Sequence, residues 1–206
     1  MQDPRYRNKF HETHSLSDFI AAYVEDYTLG LKAVDMDALG RAIIEIQAAA
    51  DAGKRIYAIG NGGSTAVADH LCCDFAKGTD VAGHPPIATQ SFGAAAALVS
   101  AIANDFGYEQ IFSKQIGYYC KPRDVLIAIS SSGNSSNIVA ALEEARQREV
   151  LTIGLSGFSG GKLAEMADIS LYVPVHNYGV VEDCHQSLMH IIAQVIACRR
   201  EEKVSW

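Results

Sequence analysis

Short apolar segments alternate with helical segments from residue 55 to about residue 175, and this alternation constrains the fold more than any other feature of the sequence. The segment DVLIAIS, residues 124–130, is apolar on both faces, as strands inside a parallel sheet are. Strands and helices that alternate in this way favour an α/β fold. The predicted strands are 55–59, 86–90, 124–130, 151–156 and 169–175.

Helical segments fill the intervals between these strands and also flank them. The predicted helices are 64–77, 93–103, 107–119, 135–148, 161–167 and, at the end, 181–200. Two further helices, about 16–31 and 36–50, precede the first strand, and we expect them to pack outside the sheet or against another subunit. A length of 206 residues fits a single domain. We therefore predict an N-terminal extension and helix at 1–35 and the domain proper at 36–206.

Composition excludes several classes of protein. The net charge of −7 argues against a nucleic-acid partner, because such domains usually carry a basic surplus. The five cysteines have no disulfide-framework spacing, which indicates reduced thiols and a cytoplasmic location. No apolar run approaches the roughly 20 residues of a membrane helix. The polar N-terminus does not look like a signal peptide.

The turn after the first predicted strand is rich in glycine. The sequence GNGGS, residues 60–64, ends the strand and opens a helix. Ligands of parallel α/β sheets bind where strands end and helices begin, and the free N–H groups there suit phosphate. Glycine allows close backbone approach, and Ser64 can cap the helix or bond a ligand. A plain glycine turn with a serine cap is the alternative interpretation.

The turn after strand 124–130 carries an unusual set of hydroxyls. Except for one glycine, every residue of SSSGNSSN, residues 130–137, has a hydroxyl or an amide. Capping a helix needs one or two of them, so the rest are available to surround a phosphate; a solvated loop is the alternative. The loop lacks the lysine of a P-loop and does not match GxGxxG. The candidate phosphate ligands are Ser130, Ser131, Ser132 and Ser135.

Four segments together resemble the SIS (sugar isomerase) domain family, and within it the sedoheptulose 7-phosphate isomerases. They are GNGGS, SSSGNSSNIV, AIANDFGYEQIF and GFSGGKLAEMADI, and the resemblance covers about residues 36–200. It implies a three-layer sandwich with a five-stranded parallel sheet flanked by helices, assembled as a homotetramer with active sites between subunits. It also implies that a sugar phosphate contacts Asn61, Gly62, Ser64, Asp105 and the four loop serines.

Two side chains that can bind a metal follow the glycine turn. His70 and Asp74 are four residues apart and share one face of a helix. The last helix offers Glu182 and His190 as partners, although about 12 Å of helix axis separates them. By itself an HxxxD pair is a weak signal, because a solvated helix face explains most such pairs.

The resemblance gives this group a role. The heptose phosphate isomerases hold zinc with a His and a Glu from the first helix of the domain and with a Gln and a His from the last. The matching residues are His70, Asp74, Glu182 and His190, so Asp replaces Glu and Glu replaces Gln. The resemblance also assigns proton transfer to Asp74 and His190. We expect His185, about 140° away from His190 around the helix, to be structural or to support the site.

We therefore predict a zinc-dependent aldose–ketose isomerase that acts on sedoheptulose 7-phosphate for the synthesis of surface polysaccharide. Two alternatives remain open at this point. One is a SIS protein without catalytic activity, which binds a sugar phosphate or the replication initiator protein. The other is an isomerase of a different sugar phosphate that needs no metal.

Overall fold

Five parallel strands form a single sheet in the computed structural model of the protein, which describes residues 13–204. The strands are β1 (Ile56–Gly60), β2 (Thr89–Ser91), β3 (Val125–Ser130), β4 (Leu151–Ser156) and β5 (Ile169–Tyr172). Their order across the sheet is β2-β1-β3-β4-β5, and every neighbouring pair is parallel. The predicted five-stranded parallel sheet is confirmed.

Helices surround this sheet and supply its connections. They are α1 (Leu16–Lys32), α2 (Met36–Asp51), α3 (Gly63–Cys73), α4 (Ala96–Phe106), α5 (Ser113–Tyr119), α6 (Ser136–Gln147), α7 (Gly161–Met166) and α8 (Tyr178–Arg200). A π-helical turn, Asp74–Gly78, continues α3, and a 3-10 turn, Tyr108–Gln110, follows α4. The side chains of Ser15, Asp35 and Asn177 cap α1, α2 and α8 by accepting bonds from first-turn N–H groups.

The core consists of two apolar layers, one on each face of the sheet. Successive strand side chains point to opposite faces, so Ile56 and Ala58 pack with α2, α3 and α8, while Tyr57 and Ile59 pack with residues of α4 to α7. β3 is buried along its whole length, as an apolar central strand requires. The three-layer sandwich predicted from the sequence is confirmed.

Several element boundaries differ from the predicted ones, and three of these differences have clear local reasons. β2 begins at Thr89 rather than at Pro86, which has no N–H to donate to a neighbouring strand. The helix predicted at 107–119 is interrupted, because Gly107 ends α4 with a φ of 93° and α5 begins only at Ser113. The last helix begins three residues early, at Tyr178, since Asn177 caps it.

Helix α1 is fastened to the first turns of α8. Tyr23 donates a hydrogen bond of 2.6 Å to Asp183, and the hydroxyls of Tyr27 and Ser187 are 2.7 Å apart. The predicted domain boundary between residues 35 and 36 stays a prediction. The first part of the predicted extension, residues 1–12, lies outside the described residues.

Candidate active site

The carboxyl ends of β1 and β3 form the crevice in which parallel sheets bind ligands. These strands are adjacent, and Gly60 is in register with Ile129. The chain runs from β1 to β2 on one side of this pair and from β3 to β4 on the other side. The position between β1 and β3 is therefore the topological switch point of the sheet. The glycine turn and the serine loop therefore face each other at the position that the strand order selects.

A pocket of about 120 Å³ lies between the two loops. Its lining contains six of the eight predicted substrate-binding residues. The lining residues are Asn61, Ser64, Ile129, Ser130, Ser131, Ser132, Ser135, Tyr178 and Glu182. The structure thus brings together the two loops that the sequence singled out, and we call this space the serine pocket.

The hydroxyls of the serine pocket are only partly used within the chain. Ser130 Oγ accepts a bond of 3.2 Å from the N–H of Gly133. Ser131 Oγ is buried and has no hydrogen-bond partner in the part of the chain that the structure describes. Ser135 is the N-cap of α6, yet its side chain makes no capping bond. These hydroxyls are free to donate to an anion, and α3, α6 and α8 all begin beside them, so their positive helix ends add to the attraction.

Glycine is required where the serine loop turns. Gly133 has a φ of 66°, and a Cβ at this position would overlap the carbonyl oxygen of Gly160. Gly62, at the entrance to α3, has a φ of 55°. Both values lie in the left-handed region that favours glycine. Gly62 therefore shapes the turn, although it does not line the serine pocket.

Asp105 is the other predicted substrate residue that does not line the pocket. It sits near the end of α4, is exposed, and accepts a bond of 2.7 Å from the side chain of Asn104. Within this chain its carboxylate therefore points to solvent, and its role in substrate binding stays a prediction.

A second group of side chains lies farther along α3 and α8. His70, Asp74 and His190 each offer one donor atom, and these atoms lie within 4.8 Å of one another. Asp74 Oδ2 is 2.8 Å from His190 Nδ1, and Asp74 Oδ1 is 3.4 Å from His70 Nε2. Asp74 opens the π-helical turn, an irregularity that is frequent at functional sites. We call these three residues the His–Asp–His cluster.

Gln186 completes this cluster, and the sequence reasoning missed it. Its amide nitrogen is 2.9 Å from His70 Nδ1 and 3.0 Å from His190 Nε2. Gln186 precedes His190 by four residues, so it occupies the same face of α8. That spacing was the signal that could have identified it.

Glu182, predicted as the fourth metal ligand, does not join the three clustered residues. It lies one turn before Gln186, and its carboxylate lines the serine pocket opposite Gly63. A Cβ on Gly63 would be 2.7 Å from Glu182 Oε2, so only glycine leaves this space open. Burial, with a smaller contribution from the charge of Asp183, raises the pKa of Glu182.

α3 and α8 thus oppose each other along one continuous stripe. Glu182 faces Gly63, Gln186 faces His70, and His190 faces Asp74. The stripe begins in the serine pocket and ends at the His–Asp–His cluster. Both groups therefore line one surface, with Glu182 at the pocket end and Gln186 beside the cluster.

The donor set of the cluster fits a divalent cation. Two imidazoles and one carboxylate are a ligand combination typical of zinc, and an amide oxygen can complete it. Ligand atoms that share one tetrahedral ion with bonds of about 2.0–2.2 Å lie about 3.5 Å apart, so the widest separation in the cluster, up to 4.8 Å, has to shorten by about 1 Å. The cluster can therefore bind a metal after small side-chain adjustments.

His185 faces the interior of the protein. It is fully buried, and its Nε2 lies 3.2 Å from the carbonyl oxygen of Ser156. Its Nδ1 has no hydrogen-bond partner among the described residues. Burial lowers the pKa of His185 to about 4, so the imidazole is neutral near pH 7. This placement agrees with the structural role expected for it.

Comparison with known proteins identifies the family. Residues 21–157 match the SIS domain. The chain belongs to the SIS domain family. A phosphoheptose isomerase from Rhodospirillum rubrum is 34% identical to this SIS domain protein over 159 residues, which are 77% of the chain and 84% of that relative.

Solved structures agree with this assignment. Phosphoheptose isomerase GmhA from Neisseria gonorrhoeae superimposes with a TM-score of 0.80 at 28% identity, over 88% of this chain and 98% of that one. A phosphoheptose isomerase from Francisella tularensis gives a TM-score of 0.82 at 26% identity, over 93% and 99% of the two chains. Among residues 13–204, no helix has the length and apolar character needed to cross a bilayer.

Proposed function

We propose that this SIS domain protein is an aldose–ketose isomerase that converts sedoheptulose 7-phosphate into the corresponding heptose 7-phosphate, for the synthesis of surface polysaccharide. The observation that carries the proposal is the continuous stripe between the serine pocket and the His–Asp–His cluster. The similarity to phosphoheptose isomerases supports the choice of sugar.

The serine pocket binds the phosphate in this proposal. The hydroxyl groups are neutral hydrogen-bond donors, and three helix N-termini lie beside them. The pocket can therefore attract an anion although its lining contains no lysine and the chain has a net charge of −7. The ligands are the four serines of the loop, Ser130, Ser131, Ser132 and Ser135, together with Asn61 and Ser64 on the opposite turn, which Gly62 shapes.

The carbon chain of the sugar then extends along the stripe. His70 is seven residues beyond Gly63 on α3, a separation of about 10 Å along the helix axis. An extended seven-carbon sugar phosphate spans such a distance. The C1–C2 end therefore reaches the His–Asp–His cluster while the phosphate stays among the hydroxyls.

Asp74 and His190 transfer the protons. Isomerisation removes a proton from C1, passes through an enediol, and delivers a proton to C2. The carboxylate of Asp74 accepts the Nδ1–H of His190 at 2.8 Å and so leaves a lone pair on Nε2. In this proposal Nε2 serves both roles in turn: it would bind the metal, and it takes up a proton when the metal is not bound to it.

We infer that the metal is zinc, held by His70, Asp74 and His190, with an oxygen of Gln186 or of Glu182 as the fourth ligand. When bound, zinc polarises the carbonyl group of the ketose and stabilises negative charge on its oxygen. Glu182 stands beside the route from pocket to cluster, so it remains a candidate for this oxygen.

We further propose that the protein is a cytoplasmic homotetramer with active sites between subunits. Several large apolar side chains of α1 are exposed in the single chain, and a neighbouring copy would bury them. They are Leu16, Phe19, Ile20, Val24 and Leu29. A subunit boundary would also give Asp105 a site to face.

The test incubates purified protein with sedoheptulose 7-phosphate and assays the aldose phosphate. We expect turnover in the wild type, and a loss of about 10²- to 10⁴-fold in Asp74→Ala and His190→Ala, the range that general acid–base groups contribute. If both variants kept full turnover, the catalytic assignment would be wrong. Binding of the sugar phosphate without turnover in the wild type would instead indicate a receptor.

A further inference from the structure

Three polar side chains from separate parts of the chain form a hydrogen-bond network at the serine pocket. The amide of Asn61 donates to Asn137 Oδ1 at 2.9 Å, and the amide of Asn137 donates to Asn61 Oδ1 at 2.9 Å. The hydroxyl of Tyr108 donates to the same Asn61 Oδ1 at 3.0 Å. Asn61 therefore lies at the centre of the network and also lines the pocket.

These bonds use almost all of the hydrogen-bonding capacity of Asn61. An asparagine side chain has two acceptor lone pairs and two N–H donors. Asn137 and Tyr108 occupy both lone pairs of Asn61, and Asn137 accepts from one of its N–H groups. Among the described contacts, one N–H donor is all that Asn61 has left for a ligand.

The two partners of Asn61 differ in burial, since Asn137 is buried and Tyr108 is exposed. Asn137 is 1% exposed in the first turn of α6, and it meets Asn61 because α6 and α3 follow the neighbouring strands β3 and β1. Tyr108 lies in the exposed 3-10 turn that follows α4. The buried asparagine thus fixes the orientation of the Asn61 amide, and the tyrosine reinforces it from the surface.

We propose that Asn137 and Tyr108 are positioning residues, which turn Asn61 into a pure hydrogen-bond donor toward the sugar phosphate. The ligand atom opposite Asn61 is then an oxygen with a free lone pair, such as those of phosphate and carbonyl groups. The proposal rests on the proposed function for the identity of the ligand, whereas the network itself is independent of it.

A double-mutant cycle between Tyr108→Phe and Asn61→Ala tests this role. The assay measures the Kd of sedoheptulose 7-phosphate by calorimetry, KM and kcat where turnover occurs, and the thermal midpoint of each variant. We expect Tyr108→Phe to raise Kd and KM roughly two- to tenfold, as the loss of one hydrogen bond does, with kcat changed less than about twofold. In the Asn61→Ala background the same substitution has no further effect. Tyr118→Phe, at another exposed tyrosine, leaves both constants unchanged.

Asn137→Asp tests the buried partner. The substitution keeps an oxygen that accepts from the Asn61 amide but removes the N–H group that donates to Asn61 Oδ1. It also adds a negative charge, and Asn134→Asp, in the same loop, controls for that charge. We expect Asn137→Asp to raise Kd more than Asn134→Asp does, and to lose this excess when Asn61 is alanine.

Two results would overturn the proposal. If Tyr108→Phe weakened binding equally with and without Asn61, the tyrosine would contact the ligand itself. If Tyr108→Phe lowered only the thermal midpoint, the network would be merely structural. If the wild type binds the sugar phosphate without turnover, the proposed function is refuted. The double-mutant cycle in Kd still tests the positioning role of Tyr108 in that case. If that sugar does not bind, inorganic phosphate serves as the probe for the same cycle.

Discussion

Acidification should destabilise the protein through His185, because this imidazole is neutral and fully buried at the junction of β4 and α8. Its Nε2–H donates to the carbonyl of Ser156, and protonation of Nδ1 would place a charge in the apolar core with no partner among the described residues. The folded pKa of about 4 lies below the unfolded value of 6.5. The unfolded state therefore binds more protons between these values, and stability falls as pH falls through this window.

The magnitude follows from the two pKa values. At about pH 5 the unfolded imidazole is almost fully protonated while the folded one is almost fully neutral. The difference in proton binding lowers the free energy of unfolding by about 2 kcal/mol relative to neutral pH, at about 1.4 kcal/mol per pKa unit. The loss approaches about 3 kcal/mol near pH 4.

Urea unfolding at about pH 7.5 and pH 5, at one protein concentration, measures this effect. His185→Gln has no titrating group, so its free energy of unfolding should change by about 2 kcal/mol less than that of the wild type between the two conditions. His14→Gln, at an exposed histidine, should keep the wild-type pH dependence. If wild type and His185→Gln lost equal stability, His185 would not be the buried neutral group described here.

Three further substitutions or treatments test the stripe between α3 and α8. Gly63→Ala should displace the carboxylate of Glu182 and lower turnover roughly 10- to 100-fold. Gly40→Ala is the control: a Cβ there meets nothing within 4 Å, so the substitution should raise the free energy of unfolding by about 0.5–1 kcal/mol and leave turnover unchanged. Equal turnover in the two variants would contradict the close approach of Glu182 to Gly63. Asp74→Asn keeps its size but loses its charge, so kcat should fall at least about 100-fold while the Kd of inorganic phosphate stays the same. Removal of metal by a chelator should abolish turnover, and Zn²⁺ should restore it; metal-free protein with full activity would refute the metal site.

The sequence predicted the layers of the fold because its apolar pattern is strong. β3 is apolar on both faces and is buried on both, and the loops that follow β1 and β3 carried the signals for a ligand site. Pairing of β1 with β3 cannot be read from any local pattern. It depends on how two strands, separated by more than 60 residues, pack into one sheet.

The details of the site were less predictable for the same reason. Gln186 could have been found from its spacing to His190, but the resemblance directed attention to Glu182, one turn earlier. The network of Asn61, Asn137 and Tyr108 has no sequence signature, since its members meet only after β1 and β3 are paired. Side chains that converge from distant segments are visible only in the folded chain.

The isomerisation itself is tested most directly by following sedoheptulose 7-phosphate with the protein in D₂O by NMR spectroscopy. If Asp74 and His190 transfer protons through an enediol, an aldose 7-phosphate should appear and should carry deuterium at C2. With Asp74→Asn, neither the aldose nor the deuterium at C2 should appear. A wild-type protein that binds the ketose phosphate but forms no aldose and exchanges no hydrogen at C1 would contradict the account.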